Sequence, residues 1–295
     1  MASTGESGSF ERHASVFRDW LSDAQPGRYH LYVASACPWC HRTIIVRELM
    51  GLHEAVGISF VDPIRDARGW AFTGGRFVDH AEGMELLAEA YLRSDAGSAT
   101  HVTAPVLWDR EAKRIVNNES SEIIRMFETG VFGGRGPELY PRHLAAEIDA
   151  INERVYETVN NGVYRCGFAR SQRAYDAAFV ELFASLDWLE ELLGSRRYLL
   201  GEQLTEADWR LFPTLVRFDP VYHGHFKCNL RRLIDYPNLW GYTRELYQLP
   251  GIAETVELDE IKRHYYMTHP SINPSRIVPL GPEIDFDAPH GRAGR

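Results

Sequence analysis

Residues 28–34 (RYHLYVA) read as a short buried strand carrying Tyr29, Leu31 and Val33, and they run directly into Ser35-Ala36-Cys37-Pro38-Trp39-Cys40. Residues 42–50 then have helical spacing and stop at Gly51. This strand–cysteine–helix junction limits the fold more than any other stretch, because it puts Cys37 at a helix N-terminus just past a strand. The unpaired backbone N–H groups and the positive end of the helix dipole there stabilise a thiolate. Pro38 suits the first helical turn, where its missing N–H is not needed. A thiol of pKa near 8.5 is about 3% ionised at pH 7, whereas one near 6 is about 90% ionised. Part of that gain is offset, since nucleophilicity falls as pKa falls.

Three chemistries compete for Cys37 to His41. The pattern C-x-x-C-H is the signature of haem attachment, but that needs an exported chain, and residues 1–10 are polar with no apolar run. A structural zinc site needs a second C-x-x-C or closely paired histidines, whereas Cys166 and Cys228 stand alone, so no metal is expected. Thiol redox or thiol-transfer chemistry fits the local context. Cys40, three residues on, lies on nearly the same helix face as Cys37, which makes it either a resolving thiol or a small buried residue.

The first block continues with a strand at 58–61, a glycine-punctuated stretch at 62–100 that is helical over 84–92, and a hairpin formed by 104–108 and 115–116. A further helix runs from Glu119 to near Gly130. The order β-α-β-loop-α-β-β-α, with a proline opening the third strand, is that of a thioredoxin-like domain. Residues 130–141 (GVFGGRGPELYP) mark the domain boundary. Beyond it the pattern is helical almost throughout to about residue 246, with Leu182, Leu186, Leu189 and Leu193 on one stripe. The expected organisation is an N-terminal extension at 1–27, a thioredoxin-like α/β domain at 28–130, a linker at 131–144, an all-α domain at 145–270 and an extended tail at 271–295. The net charge of -9 and pI near 5.8 argue against nucleic-acid or anionic-membrane partners. No stretch approaches the roughly 18–20 apolar residues of a membrane span. Four cysteines in a chain with this much core fit a reducing compartment, and a cytoplasmic location is expected.

Two further features suit a peptide-like thiol. Ala104-Pro105 stands where a cis proline in this fold exposes the preceding backbone N–H and C=O to an extended ligand. Asn118-Glu119-Ser120-Ser121 opens the next helix, offering a carboxylate for an ammonium group and N–H and hydroxyl donors for a carboxylate, or serving only as caps. Residues 204–208 (LTEAD) resemble a helix-capping box and are read as structural.

On Ala36-Cys37-Pro38-Trp39, Gly69-Trp70-Ala71-Phe72, residues 105–109 (PVLWD) and residues 115–120 (IVNNES), the chain resembles the glutathionyl-hydroquinone reductases, also called xi-class glutathione transferases. Residues 160–164 (NNGVY), 204–212 (LTEADWRLF), 217–219 (RFD), 224–227 (GHFK) and 261–266 (IKRHYY) extend the match over roughly residues 28–282. The resemblance implies the glutathione transferase fold, glutathione as cosubstrate, small aromatic glutathione conjugates as substrates, and a homodimer. It implies that Cys37 attacks the sulfur of a glutathionyl-hydroquinone, forming a mixed disulfide that a second glutathione releases as oxidised glutathione. Tyr164 would protonate the departing ring carbon, and Tyr222 and Tyr265 would line the hydroquinone site and hydrogen-bond substrate or thiolate. Trp70, the main chain of His101, Val102, Thr103 and Ala104, and the side chains of Glu119 and Ser120 would hold glutathione. The family usually has alanine, arginine and valine where this chain has Cys40, His101 and Ala104. Cys40 keeps open a glutaredoxin-like dithiol route to disulfide or dehydroascorbate reduction, and a non-catalytic binding module of the same fold is the third reading.

Overall fold

The computed structural model describes residues 3–4, 8–95, 97 and 101–294. They divide into two compact units. One comprises residues 14–137 and 259–268, and the other the described parts of 1–13, 138–258 and 269–295. A short hairpin, β1 (Ser3–Thr4) against β2 (Phe10–Glu11), belongs to the second unit.

The first unit is built on a four-stranded sheet. Strand β3 (Tyr29–Val33) leads through helix α1 (Pro38–Leu49) to the parallel strand β4 (Val56–Phe60). Strands β5 (Val106–Asp109) and β6 (Arg114–Asn117) add as an antiparallel hairpin on the other side of β3, giving the order β4-β3-β5-β6. All five residues of β3 are buried, as expected of a central strand covered on both faces. Gly57 is required in β4, because a Cβ there would lie 2.5 Å from the His30 imidazole. The outer edge of β6 is covered by residues 17–19: Asp19 N–H donates to the Val116 C=O and Asn118 N–H to the Phe17 C=O, each at 3.0 Å.

Helix α2 (Ala88–Ser94) begins later than the spacing predicts. The Asp79 carboxylate accepts backbone N–H bonds from Ala81, Glu82 and Met84, and Phe72 N–H and Leu87 N–H pair with the carbonyls of Glu85 and Trp70. Residues 79–87 are therefore held in a turn and an extended pairing before the helix can start. Helix α3 (Ser120–Glu128) follows β6 and packs against α1. The last helix of this unit, α9 (Leu258–Thr268), stands within the stretch expected to be all-helical, yet residues 259–268 pack with the sheet. Its buried Glu260 and its His264 reach residues 35, 63, 70 and 76, contacts described below.

The second unit is helical: α4 (Ala145–Val155), α5 (Gly162–Gly167), α6 (Gln172–Ser195), α7 (Glu206–Leu215) and α8 (Pro237–Tyr247). Leu182, Leu186, Leu189 and Leu193 are each 0% exposed, so the predicted stripe is the buried face of α6. At the start of α7 the Thr205 N–H and hydroxyl donate to the Asp208 carboxylate at 2.8 and 3.1 Å. Asp208 also accepts from Leu199 N–H at 3.0 Å and the Tyr242 hydroxyl at 2.7 Å, so the box ties α7 to its neighbours. Two π-wound turns, Tyr156–Asn160 and Phe218–Tyr222, interrupt the helical regularity. The C-terminal segment is extended but anchored. The Phe286 ring packs on Trp240 and Tyr247, and Arg292 is 3% exposed.

Candidate active site

Cys37 is the N-cap of α1, with extended backbone at φ -79° and ψ 123°, and Pro38 opens the helix. Its N–H donates to the Ala34 C=O and its C=O accepts from His41 N–H, both at 3.0 Å. No acidic residue stands in the first turn, so no carboxylate on that turn opposes a thiolate at the positive helix end. The thiol is half-buried, and Sγ donates to the Ala104 carbonyl oxygen at 3.7 Å. The peptide bond from Ala104 to Pro105 is cis. The β3–α1 junction and the loop entering β5 therefore meet at this sulfur.

The other three cysteines are differently placed. Cys40 is 0% exposed and its Sγ accepts the Ala34 N–H at 3.4 Å, the setting of a packed core thiol. Cys166 and Cys228 are buried in the helical unit, and burial pushes the Cys228 thiol well up from its ordinary range. None of the four is in a disulfide.

The turn before Cys37 is fastened from far along the chain. The Ser35 hydroxyl donates to the buried carboxylate of Glu260 on α9, which pairs with Arg76 at 3.1 Å. Ser35, Arg76 and Glu260 had no signal in the sequence, because nothing local links positions so far apart.

The residues expected to hold glutathione lie in the same unit. Ser120 is buried in the first turn of α3, and Glu119 caps that helix. Glu119 Oε1 accepts the Ser121 N–H at 3.2 Å and the Ser121 hydroxyl at 2.9 Å, while Oε2 accepts the Ser15 hydroxyl at 3.0 Å. Glu119 is thus a cap in fact, and its two oxygens, with about four acceptor positions between them, retain room for an ammonium donor. The loop at 101–104 is organised by Tyr91, which no local sequence pattern marks. The Tyr91 hydroxyl donates to the Thr103 C=O at 2.9 Å and accepts from Thr103 N–H at 3.2 Å and Asn118 Nδ2 at 3.0 Å. The Thr103 main chain is therefore turned inward, while His101 is exposed and Ala104 lies against Cys37. Trp70 is 7% exposed, stacked on His264 at 5.2 Å and capped by the Arg65 guanidinium at 5.6 Å. His264 Nδ1 in turn bonds the Pro63 carbonyl at 2.6 Å. Tyr265, 1% exposed, meets His264 edge-on at 5.3 Å.

The helical unit brings the other two expected tyrosines together. Tyr164 on α5 follows the first π-wound turn and Tyr222 closes the second, with their ring centroids 6.1 Å apart. Tyr222 is fully buried and stacks on Phe226 at 5.5 Å, while Tyr164 packs on Phe168 and Phe226. Both turns are held by long-range bonds. Asn160 Nδ2 donates to Thr214 Oγ1 at 2.8 Å, and Asp219 accepts backbone N–H bonds from Leu233 and Ile234. Among the described residues no cluster of three or more His, Cys, Asp or Glu could hold a metal, and no helix is long and apolar enough to cross a membrane.

Comparison with known proteins bears on the family and the fold. Residues 36–129 match the model of the glutathione S-transferase N-terminal domain, and residues 172–245 that of the C-terminal domain. The chain is 50% identical to glutathionyl-hydroquinone reductase YqjG of Escherichia coli K12, covering 98% of this chain and 93% of that one. It is 51% identical to glutathionyl-hydroquinone reductase PcpF of Sphingobium chlorophenolicum, covering 93% and 90%. Among solved structures, glutathione-bound YqjG superposes with a TM-score of 0.91 at 49% identity over 94% of this chain and 96% of that one. A xi-class glutathione transferase of Natrialba magadii gives a TM-score of 0.91 at 49% identity over 97% and 95%. With relatives this close along nearly its whole length, the chain belongs to the xi-class glutathione transferases, the glutathionyl-hydroquinone reductase family.

Proposed function

We propose that this enzyme reduces glutathionyl-hydroquinones to hydroquinones at the expense of glutathione, with Cys37 as nucleophile. The observation that carries the reading is the placement of the Cys37 thiol at the N-terminus of α1, beside the carbonyl that precedes a cis proline. In the first step the Cys37 thiolate attacks the conjugate's sulfur, an S–S bond forms and the sulfur–carbon bond breaks. The electron pair of the broken bond stays on the ring carbon, which takes a proton from the Tyr164 hydroxyl. In the second step glutathione attacks the mixed disulfide, giving oxidised glutathione and the Cys37 thiolate, and its thiol proton restores Tyr164. The ring is reduced and two thiols are oxidised to one disulfide, so the electrons balance.

Glutathione lies, in this reading, along the backbone of 101, 102 and 104, since Tyr91 holds both main-chain groups of Thr103, with Glu119 taking its ammonium group, the start of α3 at Ser120 a carboxylate, and Trp70 packing on it. Tyr222 and Tyr265 hydrogen-bond the hydroquinone or the thiolate, and burial keeps such hydroxyls effective because water competes little. The burial of Cys40 supports a monothiol route over internal resolution. Four cysteines outside any disulfide support a reducing, cytoplasmic setting, and a homodimer is the assembly proposed on the family resemblance. The test compares wild type and Cys37→Ser on a glutathionyl-hydroquinone with excess glutathione, following free hydroquinone by chromatography. Turnover by the wild type and none by the variant is the expected result. Equal turnover by both would remove Cys37 from the mechanism.

A further inference from the structure

The N-terminal extension supplies part of the surroundings of Tyr164. Arg170 N–H donates to the Gly8 C=O at 2.9 Å, which lays residues 8–13 along the helical unit. The Phe10 ring stacks on Tyr164 at 5.9 Å and on Phe168 at 5.7 Å. The Arg12 guanidinium sits over the Tyr164 ring, 4.9 Å from its centroid, and over Phe10 at 5.3 Å. Arg12 Nε donates to Asn161 Oδ1 at 2.8 Å, and Asn161 is the residue that opens helix α5. One side chain of the arm thus grips the helix that carries the phenol and sets a positive charge on its face.

We propose that Arg12 is a positioning residue for Tyr164, holding its helix through Asn161 and stabilising the phenolate that forms when Tyr164 gives up its proton. The inference rests on the reading of Tyr164 as proton donor. As the sulfur–carbon bond breaks and the ring carbon takes the proton, Tyr164 passes from a neutral ring to an anion. A guanidinium over the ring face is attracted to the neutral ring and more strongly to the phenolate. The arginine lies over one side of this ring, and the Tyr222 ring also meets it. Arg165, next in the chain, is paired with Glu157 and Glu181. Because Arg12 is exposed, the effect is moderate.

A substrate whose leaving group needs no proton on carbon separates the two steps. The mixed disulfide of glutathione and 2-mercaptoethanol is such a probe, since Cys37 expels a thiolate from it. Arg12→Met is expected to lower hydroquinone release about fivefold relative to disulfide exchange on the same preparation, and Arg12→Lys to restore most of that ratio. In a Tyr164→Phe background Arg12→Met is expected to change the ratio no further. An unchanged ratio in Arg12→Met, or an equal loss with and without the Tyr164 hydroxyl, overturns the proposal. Hydroquinone release by the wild type that is insensitive to Tyr164→Phe would instead overturn the proton-donor reading, and this inference with it.

Discussion

The two units assign chemistry to different parts of the chain. In the sheet unit the candidate site is made largely of backbone: the N-terminus of α1 under Cys37, the loop at 101–104 entering a cis proline, and the start of α3. In the helical unit it is made of side chains, a cluster of rings around Tyr164 and Tyr222 set on helices that leave the regular α pattern. Buried polar groups follow the same contrast. The sheet unit keeps His30 neutral, its pKa lowered by burial to about 4, with Nε2 2.7 Å from the Ser59 hydroxyl. The helical unit buries both members of an ion pair, Arg292 with Glu245 at 3.0 Å, each side chain 3% exposed, whereas the buried Glu260 of the sheet unit pairs with a partly exposed Arg76. Apart from the nucleophile Cys37, a site built on backbone tolerates side-chain change better than one built on side chains, so other substitutions should hurt the helical unit more.

Cys37→Ser aside, the largest effect is expected at Arg292. Its guanidinium donates to the backbone carbonyls of Leu193 and Arg196 as well as to Glu245, so Arg292→Met strands several buried acceptors. A loss of about 3–5 kcal/mol in denaturant unfolding is expected. A loss below 1 kcal/mol would show that the C-terminal segment is not part of the helical core. Next is Tyr164→Phe, which should lower hydroquinone release about a hundredfold relative to disulfide exchange, the usual worth of a positioned proton donor. A loss under threefold would move the proton transfer elsewhere.

His30 gives the sheet unit a pH dependence of definite sign. Its folded pKa is about 4 against an ordinary 6.5, so the unfolded chain takes up the proton first as pH falls. Stability from this group is complete above pH 6.5 and is lost progressively down to about pH 4. Between pH 6.5 and 5 the loss should be about 2 kcal/mol, absent in His30→Gln. The same pH slope in both proteins would assign the effect to other groups. The smallest effect is expected in the backbone-made site. Glu119→Gln should raise the KM for glutathione about tenfold with kcat nearly unchanged, because the carboxylate contributes binding and the amide can still cap α3. A collapse of kcat would show that Glu119 shapes the Cys37 environment.

The difference between the units also explains what could be read in advance. The β3–α1 junction, the cis proline, the Thr205–Asp208 box and the leucine stripe of α6 all carry local spacing, and each has a short-range physical cause. The placement of α9, the Tyr91 hub, the Glu260–Ser35 tie and the burial of Phe286 and Arg292 depend on pairs that are far apart in sequence, so no periodicity marks them. The π-wound turns before Tyr164 and at Tyr222 are similarly silent, since bonds from Asn160 and Asp219 to other elements hold them. Tyr164, Tyr222 and Tyr265 stand out only through the family motifs, and Arg12 carries no signal, because an exposed arginine in a polar N-terminal stretch resembles any other.

In the proposed reaction Cys37 takes the glutathionyl group from the conjugate before any second thiol acts. Mixing the reduced enzyme with one equivalent of a glutathionyl-hydroquinone, without free glutathione, and measuring intact mass and peptide masses tests it directly. The expected result is one glutathionyl adduct confined to Cys37, formed together with one equivalent of free hydroquinone and cleared when glutathione is added. Release of hydroquinone with no adduct, or an adduct on Cys40, Cys166 or Cys228, would contradict it.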